Sequence, residues 1–288
     1  MFMRVSSRER VHTMTTSAST SSTRTIDLAH GLSLTINEYG TDSEGTCALL
    51  LHGGAGPRTM TGLATALSEH AYAIAPTHPG FDGTPRPRWA DTIADLAEVY
   101  LDLLDTLGLR EVAVMGNSIG GWIAAEMALR DTKGRIGSLV LLNAVGIHAV
   151  RKENEVVDAR VLAPDELSKL SFANPALRPD FRSFSAEQRA QMAANQQALA
   201  TYAGEAFTHD PKLRGRLHRV SVPVLVVWGE EDGIAPLTYG RGYAAAFPEG
   251  RFLPVPGAGH FPHIEQPERV LDAIGDFAGI GAKPSAAV

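Results

Sequence analysis

At 288 residues, with 44% hydrophobic and 20% charged side chains, the chain has the composition of a soluble globular protein and ample length for a buried core. A formal net charge of -6 with no basic run offers a polyanion no electrostatic footprint, which excludes nucleic acid as a partner class. No segment reaches the roughly 18 apolar residues of a membrane span, so no membrane association is expected, and the one cysteine, Cys47, cannot make an internal disulfide.

Residues 1–24 are rich in Ser and Thr and lack apolar periodicity, so they read as a disordered tail. They also lack the apolar run of about 7–15 residues that a secretory signal needs, which with the lone cysteine points to the cytoplasm. Met14 is a candidate start, and residues 281–288 read as a second loose tail. From Thr25 to Tyr39, Ile26, Leu28, Leu32, Leu34 and Ile36 alternate around His30-Gly31, which predicts an antiparallel strand pair. The pattern then changes to continuous apolar runs at Cys47–Leu51, Tyr72–Ala75, Val112–Met115, Leu139–Leu142 and Val222–Trp228, the signature of strands buried on both faces. Helical patterns at Met60–His70, Thr92–Leu107 and Trp122–Arg130 alternate with them, so the sheet is expected to be mostly parallel with helices on both faces. In such sheets ligands bind beyond the carboxyl ends of the strands, and the loops there carry the chemistry.

The loop after the first buried strand, His52-Gly53-Gly54-Ala55-Gly56-Pro57, has small residues whose N–H groups can face a cavity, as an oxyanion hole requires. It lacks the glycine and lysine spacing of a phosphate cradle. The N–H of Gly54, or of Ala55, is one candidate donor, and His52 reads as a structural hydrogen-bonding residue rather than a catalytic one. The next loop, Thr77 to Pro87, is dense in turn residues; His78 and Asp82 fall there, but without a second cluster at ligand spacing no metal is expected.

At Val112–Trp122 a buried strand runs into Gly116-Asn117-Ser118-Ile119-Gly120 and then into a helical pattern. Strand, tight turn and helix in that order form the context of a nucleophile elbow, with Ser118 exposed above the sheet and the N–H of Ile119 as second oxyanion donor. The alternative is an ordinary turn with Ser118 as a helix N-cap.

After Asn143 the next convincing strand begins only near Val222, far beyond the dozen or so residues that a crossover needs. Residues 147–220 therefore read as an inserted helical lid, with a capping box at Ser185 and Gln188 and a shorter helix opened by Pro164 and Asp165. Its aromatics, Phe172 and Phe181 among them, together with Trp122 on the helix behind the serine, are candidates to line an apolar substrate pocket; packing of the insertion onto the core is the competing role. The core then comprises residues 25–146 and 221–280. The acidic loop Gly229-Glu230-Glu231-Asp232-Gly233 follows a strand end, and Asp232, at its turn, is preferred over Glu230 and Glu231 as the carboxylate that orients an imidazole. A last strand near Arg251–Val255 enters Gly257-Ala258-Gly259-His260, with His263 as the local rival to His260.

Nucleophile, acid and histidine in the order Ser118, Asp232, His260, with His52-Gly53-Gly54, Trp228-Gly229-Glu230-Glu231-Asp232 and Glu265-Gln266-Pro267 beside them, resemble the α/β-hydrolase family from Thr25 to Gly279. The resemblance implies an α/β fold with a mostly parallel eight-stranded sheet, a helical lid after the sixth strand, a small-molecule substrate and no cofactor. Within that family, Ser118 is unlike the Asp nucleophile of dehalogenases and epoxide hydrolases. Ala55 and Ile119 depart from the proline iminopeptidase pattern. Gly-Asn-Ser is similar to carbon–carbon bond hydrolases of ring-cleavage products, whose substrate carboxylate calls for an arginine that the lid could supply, whereas Gly259-His260-Phe261-Pro262 is closer to general esterases. The expectation is a carboxylic-ester hydrolase, with the carbon–carbon hydrolase second and a non-turnover small-molecule receptor on the same fold as the alternative of another class.

Overall fold

A computed structural model describes residues 21–41 and 45–280. Ten strands occur among them: β1 (Ser21–Asp27), β2 (Ser33–Tyr39), β3 (Cys47–Leu51), β4 (Tyr72–Pro76), β5 (Val112–Asn117), β6 (Ile136–Leu142), β7 (Gly146–Ile147), β8 (His209–Asp210), β9 (Val224–Gly229) and β10 (Gly250–Val255). The α-helices are α1 (Thr61–Leu67), α2 (Ile93–Thr106), α3 (Ile119–Arg130), α4 (Pro164–Ser171), α5 (Ala186–Ala203), α6 (Leu237–Ala244), α7 (Pro262–Glu265) and α8 (Pro267–Ala278). Eight strands form one sheet in the order β1-β2-β4-β3-β5-β6-β9-β10, while β7 and β8 pair only with each other. β2 is antiparallel to β1 and β4, and every other pairing in the large sheet is parallel. The protein therefore has the α/β-hydrolase fold.

Strand periodicity divides the core in two. On β3, Leu49 and Leu51 enter the cluster that holds α2, α3 and α6, whereas Ala48 and Leu50 enter the cluster that holds α1 and α8. Successive side chains point to opposite faces, and all five β3 residues are buried, so the strand reads as an unbroken apolar run. α2 is started by a full capping box in which Thr92 and Asp95 satisfy each other's backbone N–H.

Two expectations need correction here. The tail expected over residues 1–24 ends too late, because Ser21 to Arg24 already belong to β1 and pair with Tyr39 to Ile36 of β2. Six of the seven β1 residues are not buried, so this edge strand has no apolar alternation to announce it; cross-strand bonds hold it, Arg24 gripping Glu38 at 2.7 and 2.8 Å. The remainder of that tail, and residues 281–288, lie outside the described residues. The boundary placed between residues 146 and 147 cuts through β7, which pairs Gly146 with His209 and Ile147 with Asp210 and so closes the root of the insertion.

Candidate active site

The carboxyl ends of β3, β5, β6, β9 and β10 converge under the insertion, around a cavity of about 860 Å³. Ser118 stands between β5 and α3 with φ 55° and ψ -118°, a left-handed geometry that costs a non-glycine residue of order 1–3 kcal/mol. It occupies the N-cap position of α3, yet its side chain makes no capping bond. The strain is sustained by close backbone approach: a Cβ on Gly116 would lie 2.2 Å from the Gly120 carbonyl carbon, and one on Gly120 would lie 2.1 Å from the Leu51 oxygen. The turn is thereby wedged between two strands with Ser118 in the cavity wall.

Asp232 and His260 meet at 2.8 Å between Oδ2 and Nδ1, both in the protein interior. The carboxylate is held on all sides, because its Oδ2 also accepts from Asn143 Nδ2 (2.7 Å) while its Oδ1 accepts from the N–H groups of Ile234 (2.8 Å) and Ala235 (3.1 Å). Three of these partners, Asn143 Nδ2 and the N–H groups of Ile234 and Ala235, can only donate, an environment that suits a carboxylate accepting from His260 Nδ1 as well. His260 then carries its proton on Nδ1 and leaves Nε2 as the basic nitrogen. Its backbone is pinned as well: its N–H donates to Ser171 O (2.7 Å), and its carbonyl accepts from Asn117 Nδ2 (3.0 Å).

Gly54 and Ile119 both line the cavity. The Ile119 N–H lies in the first turn of α3, where no helical carbonyl can reach it. Beneath this loop His52 and His78 stack, with ring centroids 3.6 Å apart. His52 Nδ1 donates to Gly53 O (2.8 Å) and its Nε2 accepts the N–H of His78 (3.0 Å), a pattern only the neutral ring can make. Burial lowers the His52 pKa to about 4 and places that of His78 well below its ordinary value. His52 thus braces the loop that presents Gly54, the structural role expected of it.

The other site residues divide. Phe172 and Phe181 line the cavity, as do Phe184 and Phe261, and Phe172 stacks on Phe261 with centroids 5.0 Å apart. Trp122 does not: α3 turns its indole into the core against the Gly146 backbone at the root of the insertion, so its assignment to substrate binding is corrected. Its position four residues after the serine puts it one helical turn back, below the cavity floor. His263 bonds Thr59 O at 3.1 Å, its pKa lowered to about 4 by burial, and it makes no bond with Asp232. Of the insertion's arginines, Arg160 reaches the cavity, paired with Asp158 at 2.6 Å and lying over Phe207; Arg58, just after the glycine-rich loop, also lines it.

Three contributors carry no clear mark in the sequence. Asn143, at φ 44°, bridges Gly229 N–H and Asp232; a polar side chain directly after a buried strand is its only signal. Glu231, the neighbour over which Asp232 is preferred, accepts the N–H groups of Gly257 (3.2 Å) and Ala258 (3.0 Å) and so folds the histidine loop. The last carbonyls of α4, Leu170 O and Ser171 O, accept from Gly233 and His260 and join the insertion to both the acid and the histidine loops.

The alpha/beta hydrolase family is matched over residues 48–273, and the chain belongs to it. A 2-hydroxymuconate semialdehyde hydrolase of Pseudomonas putida is 28% identical over 87% of this chain and 92% of its own length. A pimeloyl-[acyl-carrier protein] methyl ester esterase of Chromobacterium violaceum is 27% identical over 78% and 89%. Among solved structures, an esterase from Exiguobacterium antarcticum superposes with a TM-score of 0.70 at 18% identity, covering 88% of this chain and 98% of its own. A meta-cleavage product hydrolase from Pseudomonas fluorescens gives 0.71 at 21%, covering 89% and 97%. Esterases and meta-cleavage product hydrolases thus both share this fold.

Proposed function

We propose that the protein is a serine hydrolase that cleaves carboxylic esters of small, largely apolar substrates through an acyl-enzyme. The observation that carries this reading is the buried Asp232–His260 pair opening onto the same cavity as a strained Ser118. Ser118 Oγ attacks the acyl carbon while His260 Nε2 takes its proton, and the carbonyl oxygen, now an anion, is met by the N–H groups of Gly54 and Ile119. Collapse returns that proton to the departing alkoxide and leaves Ser118 acylated. A water that gives its proton to Nε2 attacks the ester so formed, and Ser118 regains its proton as the acid leaves. Asp232 stays ionised throughout and stabilises the imidazolium that each step creates. The aromatic wall of Phe172, Phe181, Phe184 and Phe261 suits an apolar acyl or alcohol group. A panel of activated esters of increasing acyl length tests this, with medium chains expected to be favoured and Ser118→Ala expected to be inactive yet folded.

A second reading, carbon–carbon cleavage of a ring-cleavage product, is favoured by Arg58, a cation in the cavity wall that makes no ion pair among the described residues. That chemistry must hold a carboxylate while a carbanion leaves, which a fixed cation serves. It displaces the ester reading if kcat/KM on a dienoic keto acid exceeds that on every ester by a factor of about 100, or roughly 2.7 kcal/mol of transition-state stabilisation. Tight binding of an apolar ligand with turnover of neither substrate supports the receptor alternative. No helix among the described residues is long and apolar enough to cross a membrane; we place the enzyme in the cytoplasm on the composition of its sequence.

A further inference from the structure

The helical insertion does more than roof the cavity, because α5 also touches the backbone that presents the first oxyanion donor. Asn195, Leu199 and Tyr202 recur at i, i+4 and i+7 and so share one helix face. Tyr202 OH donates to Pro79 O at 2.9 Å, which fastens the helix to the loop after β4. Asn195, only 6% exposed, makes a two-way clamp with Asp82 of that loop: its Oδ1 accepts the Asp82 N–H at 2.8 Å, and its Nδ2 donates to Asp82 Oδ1 at 2.8 Å. Asp82 is held at φ 48°, a conformation that needs such support. The clamp lies against the oxyanion loop, since a Cβ built on Gly56 would meet Asn195 Nδ2 at 3.0 Å and Asp82 Oδ1 at 3.4 Å. One turn along, Leu199 covers Gly54 so closely that a Cβ there would fall 2.6 Å from Leu199 Cδ2.

We infer that Asn195 is a positioning residue: by clamping Asp82, it seats α5 on Gly54–Gly56 and fixes the Gly54 N–H where the oxyanion forms. The inference rests on the serine-hydrolase reading above and adds that the insertion completes the catalytic constellation. Glycines leave the loop conformationally free; its local restraints are the Gly56 N–H on Gly53 O at 3.1 Å and the Thr59 N–H and Oγ1 on Gly56 O at 3.3 and 2.8 Å, with His52 below, and none of them bonds Gly54 itself. α5 supplies the restraint from above. Since a donor must sit within a few tenths of an ångström of the transition-state oxygen, loss of the clamp acts on kcat rather than on ground-state binding.

The test is a charge swap. Asn195→Asp sets its carboxylate against that of Asp82 and opens the clamp. Adding Asp82→Asn restores it, because the carboxylate introduced at position 195 accepts both from the backbone N–H of residue 82 and from the new amide. Kinetics on an activated ester are expected to show a fall in kcat of about ten- to a hundred-fold for Asn195→Asp with KM little changed. The affinity of a trifluoromethyl ketone, which forms the tetrahedral adduct, should fall in parallel, and the double variant should recover to within about three-fold of wild type. An unchanged kcat in Asn195→Asp, a loss confined to KM, or no recovery in a folded double variant overturns the inference. If Asn195→Asp does not fold, Leu199→Ala is the substitute, with the same loss of kcat and of ketone affinity expected and an unchanged kcat refuting. Ser118→Ala run alongside separates two failures. Activity indifferent to Ser118 contradicts the serine-hydrolase reading, whereas activity that needs Ser118 but not the clamp contradicts the clamp alone.

Discussion

Replacing Asp232 by Asn removes one charge and almost no volume, and the donors around the carboxylate decide the outcome. Four of them converge on its two oxygens: His260 Nδ1 and Asn143 Nδ2 on Oδ2, and the N–H groups of Ile234 and Ala235 on Oδ1. An amide supplies a single acceptor oxygen and brings two donors of its own. If its nitrogen faces His260, the ring must turn its lone pair to Nδ1 and carry its proton on Nε2, where it cannot accept from Ser118. If its nitrogen faces Ile234 and Ala235, two buried N–H groups lose their acceptor at about 1–3 kcal/mol each. The first arrangement strands one donor, Asn143 Nδ2, where the second strands two, and it holds the inactive tautomer. Turnover is therefore expected to fall about 10⁴-fold, equivalent to about 5 kcal/mol of activation free energy, with the fold retained. Steady-state kinetics on an activated ester, with a thermal melt as control, measure both. A fall of less than about ten-fold in a folded variant refutes the assignment of Asp232 as the orienting carboxylate.

His260→Ala should cost a factor on the order of 10³ or more in kcat, whereas His263→Ala, which removes the bond to Thr59 O and a ring contact with Phe261 but no partner of Asp232, should cost far less; equal losses contradict the choice between them. Asn143→Leu strips Asp232 of one donor and leaves the Gly229 N–H buried without an acceptor, so a destabilisation of about 1–3 kcal/mol by denaturant titration should accompany a drop in kcat of about ten-fold. Stability should decline on acidification. The folded pKa values of His52 and His263 are lowered to about 4 and that of His78 is lowered well below its ordinary value, against an unfolded value of about 6.5. The unfolded chain thus binds more protons between about pH 6.5 and pH 4, and stability present above that window is lost within it, at up to about 1.4 kcal/mol per pH unit for each ring. A melting temperature that stays flat on acidification from about pH 7 to about pH 5 contradicts this. Deleting residues 1–24 removes four of the seven β1–β2 register pairs and the Arg24–Glu38 ion pair, and should lower the melting temperature by a few degrees while sparing kcat.

How far each feature can be read from the sequence depends on the range of the interactions that make it. β3, β5, β6 and β9 are buried on both faces, so each appears as an apolar run whatever its neighbours. The elbow is legible for a similar reason, since the close approach at Gly116 and Gly120 excludes a side chain locally. The start of β1 is illegible because an exposed edge strand is stabilised across the ladder and not by its own pattern. Asn143, Glu231 and Asn195 are hidden more deeply. Each works through a partner remote in the chain, Asp232, Ala258 and Asp82 respectively, and nothing in an isolated Asn or Glu marks which distant backbone it will meet. Trp122 shows the converse error: an aromatic near Ser118 in sequence lies one helical turn along α3, where its indole packs in the core against the Gly146 backbone instead of in the cavity wall. α6 leaves little trace because Leu237–Ala244 carries two glycines and no N-cap bond.

The proposed reaction turns on Ser118 as a nucleophile activated by His260. The most direct measurement treats the full-length protein with a fluorophosphonate and maps the adduct by peptide mass spectrometry, in wild type and in His260→Ala. One phosphonyl group is expected on Ser118, formed rapidly in wild type and slowed on the order of 10³-fold without the imidazole. Modification of another residue, no adduct at all, or equal rates in the two proteins contradicts that reaction.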